Sequence, residues 1–282
     1  MTSNPFLDPA RTSQLYGDAS RLANRSSALM RAKTAGRPVP ETIIDLVRRH
    51  RTDRSGRLRR VLDVGCGRGG TSRALAKGLR PIHLVGIDAA PALLTAARQR
   101  VIRVDGVRSD FVQADFHQLP LAAGFCDLAI AAFCLYHSAR PADVVAEIAR
   151  ALAPDGLAVL VTKSLDSYRE LDVLVASAGL DPCANQHESL YTTAHSGNLA
   201  RLASSHLNVL ATHHEEHRFT FAGHEHAAEY LATTPKYAFS PGLDGNPIAI
   251  SAALHSARPD RPVTTSSTVT YVVARARGGR PE

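Results

Sequence analysis

The sequence predicts an α/β fold: a doubly wound, mostly parallel seven-stranded sheet with an antiparallel edge strand. An N-terminal helical cap precedes the sheet, and a lid is inserted between the last two strands. Three observations carry this reading. Between residues 60 and 180, short continuous apolar runs alternate with amphipathic segments, as in buried parallel strands joined by helices. The first run, RVLDV, ends in a turn with glycine at alternate positions, Gly65, Gly67 and Gly69. Beyond residue 200 the runs become long and alternating, as antiparallel strands do.

Taken in order, residues 9–34 show helical spacing through Leu15, Leu22 and Leu29, and Pro38 and Pro40 interrupt them. A helix starting at Pro40 follows, with Ile43, Ile44, Leu46 and Val47 as its apolar face. Strand 60–64 and the glycine turn lead into helix 71–79. Strand 83–88, helix 91–101, strand 109–115, strand 126–133, helix 141–152, strand 156–162 and helix 168–180 complete the alternation. The last part reads as helix 198–207, strand 209–221, helix 224–234, a Pro/Gly-rich stretch through Pro247, helix 249–257 and strand 263–276. This divides the chain into a helical cap at 1–55 and a ligand-binding domain at 56–282, with the lid at about 222–260. The tail GGRPE is expected to fray.

Composition bounds the class. With 282 residues, 44% hydrophobic and 21% charged, the chain has ample material for a sizeable core. No apolar run approaches the roughly 18 residues of a membrane span. The first residues lack the basic start and apolar core of a secretory signal, so a cytoplasmic location is expected. Cys66, Cys126, Cys134 and Cys183 show no C-x-x-C spacing, which predicts reduced buried thiols. Residues 1–60 carry 13 Lys+Arg against 5 Asp+Glu, and seven arginines fall between Arg48 and Arg60. Such a run is either an anion-binding patch or a solvated helix end; the second is the expectation here.

The glycine turn lets the backbone approach a ligand closely and aims the amides of the next helix at it. Gly65-x-Gly67-x-x-Gly70 with Asp88 18 residues further on also fits a dinucleotide fingerprint. On the turn alone, a nicotinamide dinucleotide and S-adenosylmethionine are not separated. Three features favour the second. Asp63, just ahead of the glycines, suits a cationic amino group and repels a pyrophosphate. Asp115-Phe116 at the end of the third strand can accept from an adenine amine and pack beside its ring. The two terminal strands replace the second mononucleotide half of a dinucleotide binder.

VLDVGCGRGGTSRALA, VGIDAAPALLTAAR, FVQADFHQLPLAAGFCDLAIAAFCLYH and VAEIARALAPDGLAVLVT resemble the successive motifs of class I S-adenosylmethionine-dependent methyltransferases. The nearest group is the small-molecule, ubiquinone/menaquinone-type branch. The resemblance covers roughly residues 58–165 and implies a Rossmann-like sheet. It implies that Asp63, Gly65, Cys66, Gly67 and Gly69 line the methionine and ribose end of the cofactor. Asp88 would take both ribose hydroxyls, beside Ala89, where a larger apolar residue is common. Ala114, Asp115 and Phe116 would address the adenine, and Ala131 and Ala132 would pass beneath with their backbone. Tyr16 would reach the ligand from the first helix.

The implied reaction needs an aligned acceptor and, for some acceptors, a base. His137, after the fourth strand, is the candidate base. Tyr230, Lys236, Tyr237 and Phe239 are candidates for lining an organic acceptor. His206, His213, His214, His217, His224 and His226 invite a metal reading, but no four-ligand set completes it; solvated edge-strand histidines are expected, and no metal. AAFCLYHS stands where methyltransferases of exocyclic base amines carry an Asn/Asp-Pro-Pro-Tyr turn, which disfavours nucleic acid. The expected acceptor is a small organic molecule, such as a secondary metabolite, methylated on oxygen or nitrogen, with carbon a third option. A homodimer is compatible. A nucleic-acid methyltransferase and a non-catalytic cofactor-binding protein are the rival readings.

Overall fold

The fold is described from a computed structural model covering residues 4–51, 56–102 and 104–277. Arg54 of the basic run and the tail GGRPE lie outside the described residues. The chain runs α1 (Pro9–Tyr16), α2 (Ala19–Ala32), β1 (Lys33–Ala35), α3 (Val39–His50), β2 (Arg60–Val64), α4 (Gly70–Leu79), β3 (His83–Asp88) and α5 (Pro91–Val101). It continues β4 (Arg108–Gln113), β5 (Cys126–Ala132), α6 (Pro141–Ala151), β6 (Leu152–Lys163), α7 (Arg169–Ser177) and α8 (Leu199–Ser204). It ends β7 (Leu207–Phe221), α9 (His224–Leu231), α10 (Pro247–Ala257) and β8 (Val263–Ala276).

The strands form one sheet ordered β1-β7-β8-β6-β5-β2-β3-β4. β6, β5, β2, β3 and β4 are mutually parallel, and β8 runs antiparallel to β6. The described sheet has eight strands, where the sequence pattern predicts seven. The extra one, β1, is three residues long and pairs antiparallel with β7 through Lys33↔Phe219 and Ala35↔Arg218. So short a strand has no periodicity to detect. The single helical stretch expected at 9–34 is two helices. Asp18 ends it, because its carboxylate accepts from Ser20 N at 2.8 Å and caps a new helix.

The chain forms two compact units. One holds the chain through Gly36 with Ser164–Thr192 and Glu215–Thr268; the other holds Arg37–Lys163, Thr193–His214 and the chain from Val269. In the first unit, Ala28 and Ala32 of α2 pack with Leu171 and Val175 of α7, Phe219 and Phe221 of β7, Leu231 of α9 and Leu254 of α10. In the second, Val61, Leu84, Leu128, Val159 and Tyr271 line one face of the sheet under Ile43 and Val47 of α3 and Leu75 of α4. Each such side chain contributes about 1.5–3 kcal/mol by leaving water. That core holds the carboxyl ends of β5, β2, β3 and β4 side by side.

Two sequence readings change here. Cys183 is exposed, whereas Cys66, Cys126 and Cys134 are buried as expected. His217, expected on a solvated strand, is 3% exposed. It is covered by Gly36, where an added Cβ would come within 2.5 Å of its ring. Among the described residues, no helix is long and apolar enough to cross a membrane.

Candidate functional site

The order β5-β2-β3-β4 reverses direction of growth at β2, the switch point where open α/β sheets bind ligands. Three carboxylates stand at or just past adjacent strand ends there. Asp63, in register with Gly86 and Ile130, is 1% exposed and accepts from Ser72 Oγ of α4 at 2.5 Å. Burial, with the charge of Asp88 adding to it, lifts the Asp63 carboxyl to about 7 despite that bond. A buried carboxylate without a cation is costly, so this position favours a positively charged ligand group.

Between β2 and α4 the backbone turns through Gly65, Gly67 and Gly69, all with positive φ. At Gly65 the requirement is double. Its φ is +64°, and a Cβ there would lie 2.4 Å from Cys134 Cβ. The turn thus rests directly on the segment following β5. Cys66 is a buried filler: its N–H donates to Ile87 O at 2.9 Å, and burial pushes its thiol well up. Cys134 donates from Sγ to Val64 O at 3.3 Å, and burial raises its thiol too.

Asp88 ends β3 and is half-buried. Its two oxygens accept from Gly67 N at 2.8 Å and from Ala90 N at 2.9 Å. Burial pushes its carboxyl up, and the two N–H groups limit the rise. These bonds fix the carboxylate while each oxygen keeps a second lone pair, the capacity a pair of hydroxyls needs. Ala89 beside it is exposed. Ala114, half-buried, donates from N to Asp88 O at 3.2 Å. Asp115 is exposed, and the half-buried Phe116 sits edge-on to His117 with ring centres 4.8 Å apart. Ala131 is buried and Ala132 half-buried at the end of β5.

His117 and Ser138 join this site without having been found in the sequence. His117 Nδ1 lies 2.7 Å from Asp115 Oδ1 and Nε2 lies 2.7 Å from Ser138 Oγ. Ser138 is 1% exposed and also accepts from Arg140 N at 2.9 Å. Slight burial raises the Asp115 carboxyl, but the bonds from His117 outweigh it and leave it below the usual range. The signal was there in the spacing: a carboxylate, a histidine two residues on, and a serine beside His137.

His137 closes a short turn, Leu135–His137, after Phe133, whose φ is +60°. Its Nδ1 lies 3.2 Å from Cys134 O. A carbonyl only accepts, so Nδ1 carries the proton, and in the neutral ring the lone pair falls on Nε2. That is the tautomer a base uses. Tyr16, the last residue of α1, belongs to the first unit and is half-buried there.

The first unit has a recess of its own, about 300 Å³ including its open mouth. Tyr168, Tyr191, Tyr230 and Tyr237 line it with Asp172 and Lys236. Asp172 is paired with Lys236 and accepts from Tyr237 Oη at 3.0 Å. Burial raises the Tyr191, Tyr230 and Tyr237 phenols, so they stay protonated. Phe239 packs against Tyr237, the rings tilted by 35° with centres 5.4 Å apart.

The described arginines of the basic run are largely spent on backbone carbonyls. Arg48 reaches Gly78 O at 2.8 Å, Arg51 reaches Gly56 O at 2.8 Å, and Arg57 reaches Pro81 O at 2.9 Å. Arg60 lies 5.0 Å from the centre of the Phe125 ring.

Comparison with known proteins adds an independent line. Residues 62–160 match the family model described as Methyltransferase domain. A malonyl-(acyl-carrier protein) O-methyltransferase of Laribacter hongkongensis is 30% identical over 187 residues, 64% of this chain and 59% of that protein. The chain spans between about a third and three fifths of the curated relatives it matches first. Among solved structures, a putative methyltransferase from Bacillus halodurans aligns with TM-score 0.56 at 17% identity, over 83% of this chain and 99% of that one. The (4+2)-cyclase SpnF aligns with TM-score 0.59 at 19% identity, over 95% and 96%. At such identities the structural likeness concerns the fold alone.

Proposed function

We propose that this chain, which carries a class I methyltransferase domain, uses S-adenosylmethionine to methylate a small organic molecule on oxygen or nitrogen, with carbon a third option. The observation that carries this is the set of three carboxylates, Asp63, Asp88 and Asp115, around the glycine turn. A dinucleotide's pyrophosphate would meet the buried Asp63 carboxyl there, which an anion cannot relieve. An amino-acid ammonium, a ribose and an adenine each find a fitting partner. Asp63 suits the ammonium, since a neighbouring cation relieves its desolvation. Asp88 suits the ribose hydroxyls, Asp115 and Phe116 suit the adenine, and Gly65, Gly67, Gly69 and Ala131–Ala132 offer close backbone. Ala89 and Ala114 flank the adenine-binding pair, and Cys66 fills space beneath.

When bound, the cofactor supplies a methyl carbon activated by its sulfonium. The chain's residues then have three tasks: hold the cofactor, orient the acceptor, and take a proton where the acceptor carries one. His137, with its lone pair on Nε2, is assigned to the last. The experiment is an acceptor screen with the purified protein, scored by release of S-adenosylhomocysteine. Release that depends on an organic acceptor and falls in His137→Ala supports the reading. Cofactor binding without turnover on any acceptor would favour the non-catalytic alternative.

A further inference from the structure

Outside the site described above, α9 and α10 bring together three groups that lie far apart in sequence. His224 opens α9, His255 lies in the last turn of α10, and Asp260 follows in the next loop. One ligand atom from each lies within 4.8 Å of the other two. His224 Nδ1 is 3.7 Å from Asp260 Oδ1, and His255 Nε2 is 3.3 Å from Asp260 Oδ2. Ligands at about 2.0–2.1 Å from a tetrahedral zinc ion stand about 3.3 Å apart, so the cluster needs only a small contraction.

His224 is 2% exposed, yet its Nδ1 has no hydrogen-bond partner. A buried imidazole nitrogen left so is costly, and it points to a missing partner. The other two groups are set up as metal ligands usually are. His255 Nδ1 lies 2.8 Å from the Ser251 carbonyl, so Nδ1 is the protonated nitrogen and the lone pair of the neutral ring falls on Nε2, toward the cluster. Asp260 Oδ1 accepts from His224 N at 2.8 Å, which holds the carboxylate in place. That approach needs Gly223, since a Cβ there would come within 2.8 Å of the same oxygen. His255 and Asp260 are 43% and 46% exposed, leaving an entry path and room for water ligands.

We propose that His224 Nδ1, His255 Nε2 and an Asp260 oxygen bind a divalent metal ion of the zinc class, with water completing the coordination. Two imidazoles and one carboxylate select a borderline transition metal over magnesium or calcium, which take oxygen ligands. The ion fastens the start of α9 to the end of α10 within the first unit. It is independent of the methyl-transfer reading. The histidines prominent in the sequence hid the site, because two of its three ligands lie outside that cluster.

The test is titration of the chelator-stripped full chain with zinc chloride against a chromophoric competitor. The expected result is one zinc per chain, with affinity at least about tenfold weaker in His255→Ala and in Asp260→Asn. Both side chains are nearly half-exposed, so both variants should fold, which circular dichroism checks. Absence of saturable binding, or an affinity in both variants equal to that of the unaltered chain, overturns the proposal. Cobalt substitution gives a second readout in the unaltered chain. Tetrahedral ligand-field bands without thiolate charge transfer support the site; thiolate charge transfer assigns the ion to a cysteine and overturns it.

Discussion

Ser72 Oγ donates to Asp63 Oδ2 at 2.5 Å, giving the most buried carboxylate of the glycine-turn site a single neutral side-chain partner. One such bond does not offset the desolvation. The carboxyl therefore rises to about 7, well above the ordinary carboxylate range.

This predicts a stability effect with a definite sign. Between pH 4 and 7 the folded chain holds a proton at Asp63 that the unfolded chain does not, so stability contributed by this group falls as pH rises through that window. Asp63→Asn should therefore raise the melting temperature of the cofactor-free protein at pH 8. The gain is bounded by about 4 kcal/mol, since each tenfold change in proton affinity is worth about 1.36 kcal/mol. A lowered melting temperature would mean that Asp63 is ionised and satisfied.

The same carboxyl predicts how cofactor binding responds to pH. An ammonium beside Asp63 favours its ionised form, so binding releases a proton and strengthens as pH rises towards 7. Affinity for S-adenosylmethionine should be about fivefold weaker at pH 6 than at pH 7. Calorimetry in buffers of different ionisation enthalpy detects the released proton. A pH-independent affinity without proton release would remove Asp63 from the ammonium's neighbourhood.

Gly65→Ala should cost about 2–5 kcal/mol, combining left-handed backbone strain with the overlap on Cys134. Urea unfolding measures it. Gly65→Ala with Cys134→Gly would recover the overlap part and leave the strain.

His117→Ala should weaken cofactor affinity about tenfold, by releasing Asp115 from the bonds that hold its carboxylate in place. Circular dichroism should be unchanged. Equal affinity in the variant would make the Asp115–His117–Ser138 chain purely structural.

In the first unit, Lys236→Met should destabilise by about 3–5 kcal/mol, because the buried Asp172 carboxyl would lose its cationic partner. Adding Asp172→Asn should restore most of the loss. Thermal melts of the two variants decide this.

Much of the sheet was legible because its signals are local. Strands β2, β3 and β5 are apolar runs of five to seven residues between turns, and RVLDVGCGRGG needs its glycines where the structure gives them positive φ. Asp63, Asp88 and Asp115 could be placed because a strand's last residues point to one edge. What escaped depends on contacts distant in sequence. His117 meets Ser138 21 residues on, Gly65 rests on Cys134, and β1 exists only because β7 is there to pair with it. The exposed arginines of the basic run fit the solvated helix end expected of them, but the carbonyl partners of Arg48, Arg51 and Arg57 on other segments were not legible. No periodicity encodes such partners.

The central claim is that the carboxylates around the glycine turn select S-adenosylmethionine. Titration calorimetry of the full chain with S-adenosylmethionine and with NAD, repeated on Asp88→Ala, tests it most directly. Saturable binding of the first ligand only is expected, weakened in the variant by about 1.5–3 kcal/mol for each charge-assisted hydrogen bond lost. Unchanged affinity in Asp88→Ala, or preferential binding of NAD, would contradict it.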